Sequence, residues 1–413
     1  MACKSGIGAL LLPLAMTWLA LPSARAQTFD ELAQTPPMGW NSWNQFGCDI
    51  DEALIRETAQ AMVDEGLRDA GYVYVNLDDC WHGERDENGF IQPHPERFPS
   101  GMRALADDLH AMGLRIGIYS DAGRATCAGR PGSQGYEFQD AMQYARWGID
   151  YLKYDWCNTG EGEAQRNPVE AYSLMRDALI ATGRPIVFSI CEWGENRPWE
   201  WGEGVGHLWR TTGDIINCWE CEVGHGSWSS FGILNILDKQ AGLRRHSGPG
   251  HWNDPDMMEV GNLPSLGENR AHFVMWAMLA APLIVGTDVR DLDPDIRDLL
   301  TNRAIIAINQ DPLGLSGFPV VSTPDVEYWV KPLEDGDWAF AILNRSDEAQ
   351  AVHWVWQEHG LADSQFNRGA DLNSQVFDIL DLIEGRSVGD TNSALSVEVP
   401  PRDVRVYRLE SRS

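Results

Sequence analysis

Short apolar runs alternate with amphipathic segments through most of the chain. Each run has the length of one β-strand, and the segments between them, such as 52–67, 102–112, 138–147 and 169–181, carry apolar residues at the spacings of three and four that are typical of helices. The predicted strands cover residues 38–43, 72–77, 115–120, 151–154, 185–190, 208–211, 251–254 and 282–286. Eight strands alternating with helices over about 250 residues predict an α/β fold, a (β/α)8 TIM barrel, with a doubly wound open sheet as the alternative.

Polar residues fall where these strands end. The clearest case is YLKYDWC (151–157), in which apolar and aromatic residues lead into Lys153 and Asp155, two positions apart and therefore on one face of a regular strand. An ammonium group beside a carboxylate favours the charged form that a nucleophile requires, although an isolated pair of this kind is more often structural. The other predicted strand ends carry Trp43, Asp78, Asp79, Tyr119, Asp121, Glu192, Trp193, Arg210, Asp214, Asp254, Asp256 and Asp288. In a barrel, all of these side chains converge on the carboxyl-terminal rim, where such folds build their active sites.

A different pattern begins after the last predicted strand. Two helical stretches, 293–300 and 303–308, precede a segment rich in Pro and Gly at 310–319, which we interpret as a linker. Beyond it, short β-type runs separated by turn signals predict a C-terminal antiparallel β-sandwich. The predicted runs are 326–330, 338–343, 351–356, 396–399 and 404–409. We therefore divide the chain into a signal peptide over 1–26, a catalytic barrel over 27–318 and a sandwich domain over 319–413.

The first 26 residues have the pattern of a signal peptide. Lys4 precedes an apolar run at 7–21, and Ala24-Arg25-Ala26 forms a small-x-small cleavage site. The apolar run is shorter than the about 20 residues that a membrane-spanning helix needs. We therefore expect an exported bacterial protein, either secreted or periplasmic.

Amino-acid composition limits the classes of binding partner and the cellular compartment that fit this chain. Acidic residues outnumber basic residues by 61 to 32, which argues against nucleic acid and anionic membranes as partners and suits a neutral substrate. Of the eight cysteines, seven remain after removal of the signal peptide, and in an oxidising compartment they predict disulfides and one unpaired thiol. The Cys218-x-x-Cys221 pair is compatible with a zinc or redox motif, but a local disulfide is favoured because the chain has no second pair of this kind.

Many carboxylates, a lysine, an arginine and several tryptophans indicate glycoside hydrolysis. That reaction needs one ionised nucleophile or base and one protonated acid. The chain lacks a GxGxxG fingerprint, a Walker loop and a G-x-S-x-G elbow, and no histidines stand in an H-x-H or H-E-x-x-H pair, so we expect neither a cofactor nor a catalytic metal. The alternatives are a sugar-binding protein on a degenerate barrel, which would lack one acid, and a metal-dependent barrel hydrolase, which would carry a histidine cluster.

Seven motifs carry a family resemblance. They are PPMGWNSW (36–43), NLDDCW (76–81), IYSDAG (118–123), YLKYDWC (151–157), CEWG (191–194), WRTTGD (209–214) and WNDPDM (252–257). In this order they resemble the retaining α-galactosidases of glycoside hydrolase family 27, over residues 35–320, and VPPRDV (399–404) resembles the end of the family's β-sandwich. The continuation Gly194-Glu195-Asn196 is similar to plant and microbial members.

The resemblance implies a role for each matching position. Asp155 would be the nucleophile, and Asp214 the general acid and then the general base. The galactose would be held by Trp43, Asp78, Asp79, Tyr119, Lys153, Glu192, Arg210 and Asp256. Lys153 would keep Asp155 ionised, and we expect Arg210 to face the sugar hydroxyls.

The resemblance also bears on the cysteines and on specificity. It implies Cys48–Cys80 and Cys127–Cys157 disulfides, to which we add a predicted Cys218–Cys221 bridge that leaves Cys191 free. Glu192 suits a sugar 2-hydroxyl, and the intact Asp78-Asp79 pair favours galactose over arabinose. The expected activity is therefore hydrolysis of terminal α-D-galactosyl residues from oligosaccharides or galactomannan, with another α-linked sugar as the alternative.

Overall fold

The computed structural model describes residue 1 and residues 29–412. Apart from Met1, the predicted signal peptide therefore lies outside the described residues. None of the described helices combines the length and the apolar character that crossing a bilayer requires.

Eight parallel strands form the centre of the catalytic region. They are β1 (Met38–Asn41), β2 (Tyr74–Asn76), β3 (Arg115–Asp121), β4 (Tyr151–Asp155), β5 (Val187–Cys191), β6 (Leu208–Arg210), β7 (Trp252–Asp254) and β8 (Leu283–Val285). Their order in the sheet is β7-β6-β5-β4-β3-β2-β1-β8, which follows the chain without the reversal that defines a doubly wound sheet. The barrel prediction is confirmed, and each predicted strand coincides with an observed one.

A short segment beyond β7 closes the ring between β7 and β8. Met258 forms a parallel bridge with Val285. Its backbone N–H donates to the carbonyl of Ile284 at 2.7 Å, and its own carbonyl accepts from the N–H of Gly286 at 2.9 Å. The first and last strands of the sheet order are therefore joined through residue 258.

Helices cover the outside of the sheet. The longer helices of this region are Glu52–Asp64, Gly101–Ala111, Glu137–Trp147, Pro168–Ala181, Ile233–Lys239, Leu266–Leu279, Pro294–Leu300 and Arg303–Asn309, and the short ones are Trp43–Phe46 and Leu67–Ala70. Helix Glu52–Asp64 begins at Asp51, whose side chain accepts from the backbone of Leu54, and it buries Ile55, Ala59 and Met62 on one face. Helix Leu266–Leu279 starts with a Ser265–Glu268 capping box.

Two hairpins that the sequence analysis did not predict extend from the carboxyl-terminal ends of the strands. One pairs His82–Arg85 with Ile91–Pro93 after β2, and the other pairs Glu222–Gly224 with Ser229–Phe231 after β6.

The C-terminal region is built from antiparallel sheets. Its strands are β9 (Phe318–Ser322), β10 (Val326–Pro332), β11 (Trp338–Asn344), β12 (Gln350–Trp354), β13 (Leu361–Asp363), β14 (Arg368–Ala370), β15 (Phe377–Asp381), β16 (Arg386–Asp390), β17 (Leu395–Val399) and β18 (Val404–Ser411), with a short helix at Trp356–His359. A six-stranded sheet has the order β9-β10-β11-β18-β15-β16, while β12 pairs with β17 and β13 with β14. The segment interpreted as a linker therefore ends inside β9.

The six-stranded sheet has two buried faces. In β11, Ala339, Ala341 and Leu343 pack into the barrel core, whereas the alternating Phe340 and Ile342 pack into a separate core of the C-terminal region. Lys331 of β10 is an ionisable side chain that is buried at the contact with the barrel helices. Its Nζ donates to the carbonyls of Ala277 at 3.0 Å and Ile308 at 2.6 Å, and burial lowers its pKa to about 7.

Candidate active site

The strand ends of the barrel line a pocket at their carboxyl-terminal side. Its wall contains Trp43, Asn44, Asp78, Asp79, Tyr119, Cys127, Lys153, Asp155, Trp193, Arg210, Asp214, Asp256 and Met257. The predicted site residues therefore meet in one place, with the exception of Glu192. Both predicted catalytic acids belong to this wall. Asp155 comes from β4, and Asp214 comes from the loop after β6.

Lys153 lies in β4 beside two acids. Its Nζ donates to Oδ2 of Asp78 at 2.8 Å, and the same oxygen accepts from Nδ2 of Asn41 at 2.8 Å. Burial opposes the ammonium charge, but the carboxylates of Asp78 and Asp155 outweigh it and hold the pKa of Lys153 well above its usual value. The lysine is therefore a fixed cation inside the pocket.

Asp155 ends β4 and is almost completely buried. Burial raises the pKa of its carboxyl group to about 7, Lys153 counteracts this rise, and the charge of Asp214 adds to it. Its Oδ1 also accepts from the backbone N–H of Trp156 at 3.0 Å. Lys153 thus favours the ionised form of Asp155 through its charge alone, because its hydrogen bond goes to Asp78.

Arg210 ends β6 and joins two more acids. Its Nη2 lies 2.8 Å from Oδ2 of Asp256 and 3.1 Å from Oδ1 of Asp214. Burial raises the pKa of Asp256 to about 7 although Arg210 lowers it. The guanidinium joins Asp214 to Asp256 along one side of the pocket, and because Arg210 belongs to the pocket wall, its contact with sugar hydroxyls stays a prediction.

The loop that carries Asp214 is fixed from both sides. The carbonyl of Asp214 accepts from the N–H of Phe231 in the hairpin after β6 at 2.9 Å. The N–H of Ile215 donates to Oδ2 of Asp256, also at 2.9 Å. Next to the acid, Gly213 packs so closely on the hairpin that an added Cβ would lie 2.6 Å from the carbonyl oxygen of Ser229.

Glu192 does not line the pocket. Its Oε2 accepts from the backbone N–H of Asn196 at 2.6 Å and from Nδ2 of the same residue at 2.7 Å, while Oε1 is buried with no partner among the described residues. Burial raises the pKa of Glu192 to about 7. Its neighbour Trp193, in a left-handed conformation with φ of 58°, lines the pocket in its place.

Three other acids at predicted strand ends also lie outside the pocket wall. Asp121 accepts from the backbone N–H groups of Gly123 and Cys157, and Asp254 accepts from that of Asp256. Asp288 caps a short helical turn and pairs with Arg290. These carboxylates therefore organise loops of the rim.

Three cystine bridges connect the described cysteines. Cys48 is joined to Cys80, Cys127 to Cys157 and Cys218 to Cys221, while Cys191 is a buried free thiol. The Cys127–Cys157 bridge belongs to the pocket, because the hydroxyl of Tyr119 donates to Sγ of Cys127 at 3.2 Å. Within the described residues, one cluster has the spacing of metal ligands, Asp121 with Cys127 and Cys157, but both its sulfurs are in this disulfide.

Three residues of the wall, Asn44, Cys127 and Met257, are not among the site residues predicted from the sequence. Asn44 and Met257 directly follow predicted site residues, which was a usable signal. Cys127 was singled out only as a disulfide partner.

Comparison with known proteins identifies the family of this chain. The family model described as alpha galactosidase A matches residues 35–311, and that of the alpha galactosidase C-terminal beta sandwich domain matches residues 323–409. The chain belongs to the α-galactosidases of glycoside hydrolase family 27. An alpha-galactosidase A of Cellvibrio japonicus (strain Ueda107) is 55% identical over 389 residues, which are 94% of this chain and 95% of that protein. An alpha-galactosidase of Cyamopsis tetragonoloba is 45% identical, over 92% of this chain and 88% of that protein.

Solved structures of this family superpose well on the chain. The α-galactosidase of Saccharomyces cerevisiae with raffinose has a TM-score of 0.85 and 32% identity, over 94% of this chain and all of that one. A family 27 β-L-arabinopyranosidase of Geobacillus stearothermophilus, in complex with arabinose, has a TM-score of 0.78 and 23% identity and shares the fold. The overall architecture is thus common to family members of different specificity.

Proposed function

We propose that this chain exerts the α-galactosidase activity of its family on terminal, non-reducing α-D-galactosyl residues of oligosaccharides or galactomannan, through a covalent bond between galactose and Asp155. The observation that carries the proposal is the presence of two carboxyl groups, Asp155 and Asp214, in one pocket beside the cations Lys153 and Arg210.

In the first step, a carboxylate oxygen of Asp155 attacks the anomeric carbon while Asp214 gives its proton to the glycosidic oxygen. The bond between these two substrate atoms breaks, and the leaving group departs as a neutral alcohol. In the second step, Asp214 takes a proton from water, the water oxygen attacks the anomeric carbon and Asp155 is released. The two inversions give net retention of configuration.

The surrounding acids support a neutral sugar as the substrate. Asp78 and Asp79 lie beside Trp43 in the pocket, which provides acceptors for hydroxyl groups next to an aromatic face. The relative from Saccharomyces cerevisiae was solved with raffinose, which supports a raffinose-type oligosaccharide as one candidate substrate.

The cystine bridges and the predicted signal peptide support export as the location of this activity. Disulfides persist in oxidising compartments, and three of them are present in the described residues. We infer that the protein acts outside the cytoplasm.

The test is hydrolysis of p-nitrophenyl α-D-galactoside by the wild type, Asp155→Asn and Asp214→Asn. We expect each substitution to lower kcat at least about a hundredfold. Asp288→Asn is the matched control, since this rim carboxylate lies outside the pocket, and its rate should be unchanged. A wild type that prefers the β-L-arabinopyranoside or the α-N-acetylgalactosaminide would overturn the sugar assignment, and β-galactose as the first product in NMR spectra would overturn the retaining mechanism.

A further inference from the structure

Asn44 lies in the pocket wall next to Trp43, with a side chain that is only half-buried. Its Nδ2 donates a hydrogen bond to Oε1 of Glu259, which lies behind the wall. No described residue donates a hydrogen bond to Oδ1 of Asn44. One end of this amide is therefore bound to the protein, and the other end is left for the pocket.

Glu259 is a fixed partner for that amide. Its side chain is 3% exposed, and its second oxygen, Oε2, accepts from Nδ2 of Asn262 at 2.7 Å. The backbone N–H of Glu259 donates to Nε2 of His272 at 2.9 Å, and Oδ1 of Asn262 accepts from the hydroxyl of Thr287 at 2.8 Å. Each group in this chain of contacts has its orientation set by the next.

Both oxygens of Glu259 accept hydrogen bonds from amide NH2 groups, and this decides which way the Asn44 amide is turned. An ionised carboxylate only accepts hydrogen bonds, so it takes the NH2 end of the amide. The carbonyl end, Oδ1, then has to point away from Glu259. Because a buried carboxylate with an unsatisfied lone pair is costly, the reversed orientation of Asn44 is disfavoured.

Asn44 lies where its Oδ1 atom can contact a substrate in the pocket. On one side β1 pairs with β8, which is followed directly by Gly286, and the nearest acid after β8, Asp288, lies outside the pocket wall. An added Cβ at Gly286 would lie 3.4 Å from the Cβ of Asn44. Asn44 therefore covers the arc of the wall to which β8 contributes no polar side chain.

We propose that Asn44 binds a hydroxyl group of the substrate through Oδ1, and that Glu259 is a positioning residue which keeps this oxygen turned into the pocket. The inference rests on the proposed glycosidase function and deepens it, because it adds a neutral acceptor to a wall made mainly of charged groups. The hydroxyl belongs either to the galactose or to the leaving sugar, and the choice of substrates separates the two.

The experiment compares Asn44→Ala with the wild type on α-D-galactosyl fluoride, which has no leaving sugar, and on melibiose, which has one. Loss of one neutral hydrogen bond should lower kcat/KM by about fivefold to tenfold. A loss on both substrates assigns the hydroxyl to galactose, and a loss on melibiose alone assigns it to the leaving sugar. Gln45→Ala, an exposed neighbour on the same short helix, is the control and should leave both rates unchanged.

A second set of variants tests the positioning role of Glu259. Glu259→Leu should reproduce the loss seen in Asn44→Ala, and the double variant should be no worse than Asn44→Ala, because both changes remove one interaction. Glu259→Gln keeps one oxygen that can accept from Asn44, so its kcat/KM should exceed that of Glu259→Leu. Additive losses in the double variant would contradict the positioning role.

Monodeoxy galactosides distinguish substrate binding from a merely structural role if the hydroxyl belongs to galactose. The penalty of Asn44→Ala should disappear on the analogue that lacks the bound hydroxyl and persist on the others, whereas a structural defect would affect all analogues alike. If the wild type cleaves both substrates and Asn44→Ala cleaves them at the same rates, this inference is overturned and the proposed function stands. A wild type that cleaves neither overturns the proposed function and this inference with it.

Discussion

Nζ of Lys153, in β4, donates a hydrogen bond to Oδ2 of Asp78, beyond the end of β2, across 2.8 Å. The lysine therefore links parts of the pocket wall that belong to β4 and β2, across the intervening β3, and acts on Asp155 only through space. The Asp78 side chain is 2% exposed and that of Lys153, which lines the pocket, is 16% exposed, so solvent screens this ion pair only from the lysine side.

Lys153→Met should abolish most of the activity. The substitution leaves the carboxylate of Asp78 buried without its cation, and it removes the charge that lowers the pKa of Asp155. We expect kcat/KM on p-nitrophenyl α-galactoside to fall at least about a hundredfold, with the acidic limb of the remaining pH profile moved to higher pH.

The stability of the same variant provides an internal control. The double variant Lys153→Met/Asp78→Asn removes both charges, so it should unfold at a higher temperature than Lys153→Met alone. Equal melting temperatures of the single and the double variant would show that Lys153 and Asp78 are not energetically coupled.

Asp155→Asn should make the protein more stable at neutral pH. Burial raises the folded-state pKa of Asp155 to about 7 from its ordinary value of 3.8, so the folded state holds a proton that the unfolded state releases between these values. Stability therefore falls as pH rises through this window. We expect Asp155→Asn to raise Tm above that of the wild type at pH 7.5, and the gain to vanish near pH 4, as measured by scanning calorimetry.

Asp288→Asn is the matched control with the opposite sign. The hydrogen bond from Arg290 lowers the pKa of Asp288, so its ionised form stabilises the folded state above its unfolded pKa. This substitution should lower Tm at pH 7.5. An equal gain in both variants would mean that removal of any acid stabilises this acidic protein.

Gly213→Ala should impair catalysis through the loop that carries Asp214. The new Cβ would lie 2.6 Å from the carbonyl oxygen of Ser229 and 3.0 Å from the ring of Phe231, so loop and hairpin have to move apart. Because Phe231 also holds the carbonyl of Asp214, the acid is displaced with them. A displacement of this kind should cost about tenfold to a hundredfold in kcat.

The same hairpin offers a control for Gly213→Ala. An added Cβ at Gly224 meets nothing within 4 Å, so Gly224→Ala should keep the wild-type rate. A loss of similar size in both variants would point to general destabilisation of the hairpin.

The cystine bridges should contribute unequally to stability. Cys127 and Cys157 are 30 residues apart, whereas Cys218 and Cys221 are three apart. Loop-closure entropy predicts that Cys127→Ser/Cys157→Ser lowers the free energy of unfolding by about 3–4 kcal/mol, and Cys218→Ser/Cys221→Ser by about 1–2 kcal/mol. Urea denaturation measures both values, and the reverse order would contradict the entropic account.

The barrel was predictable because its strands are short, apolar and bounded by polar residues. Runs such as β4, with its terminal Asp155, show both the buried strand and the start of the rim. Strands β13, β14 and β16 have three to five residues each and are largely polar or exposed, so they carry little local signal and depend on distant pairing.

Side-chain partners were less accessible from the sequence. Lys153 has two carboxylates within reach, and only the three-dimensional arrangement shows that Asp78 takes the hydrogen bond. Asn44 and Glu259 are 215 positions apart. The orientation of Glu192 depends on Asn196 and on the left-handed backbone at Trp193, which tertiary structure imposes.

The bridge at Met258 links closure of the strand ring to the binding of a ligand in the pocket. The segment that joins β7 to β8 runs through Asp256 and Met257, both in the pocket wall, directly into the two backbone hydrogen bonds of Met258. A bound galactoside that immobilises Asp256 also restrains the residue that closes the ring. Galactose, the product of the proposed reaction, should therefore slow amide hydrogen exchange at Met258 and Gly286. These two residues form the contact at which the barrel would otherwise open first.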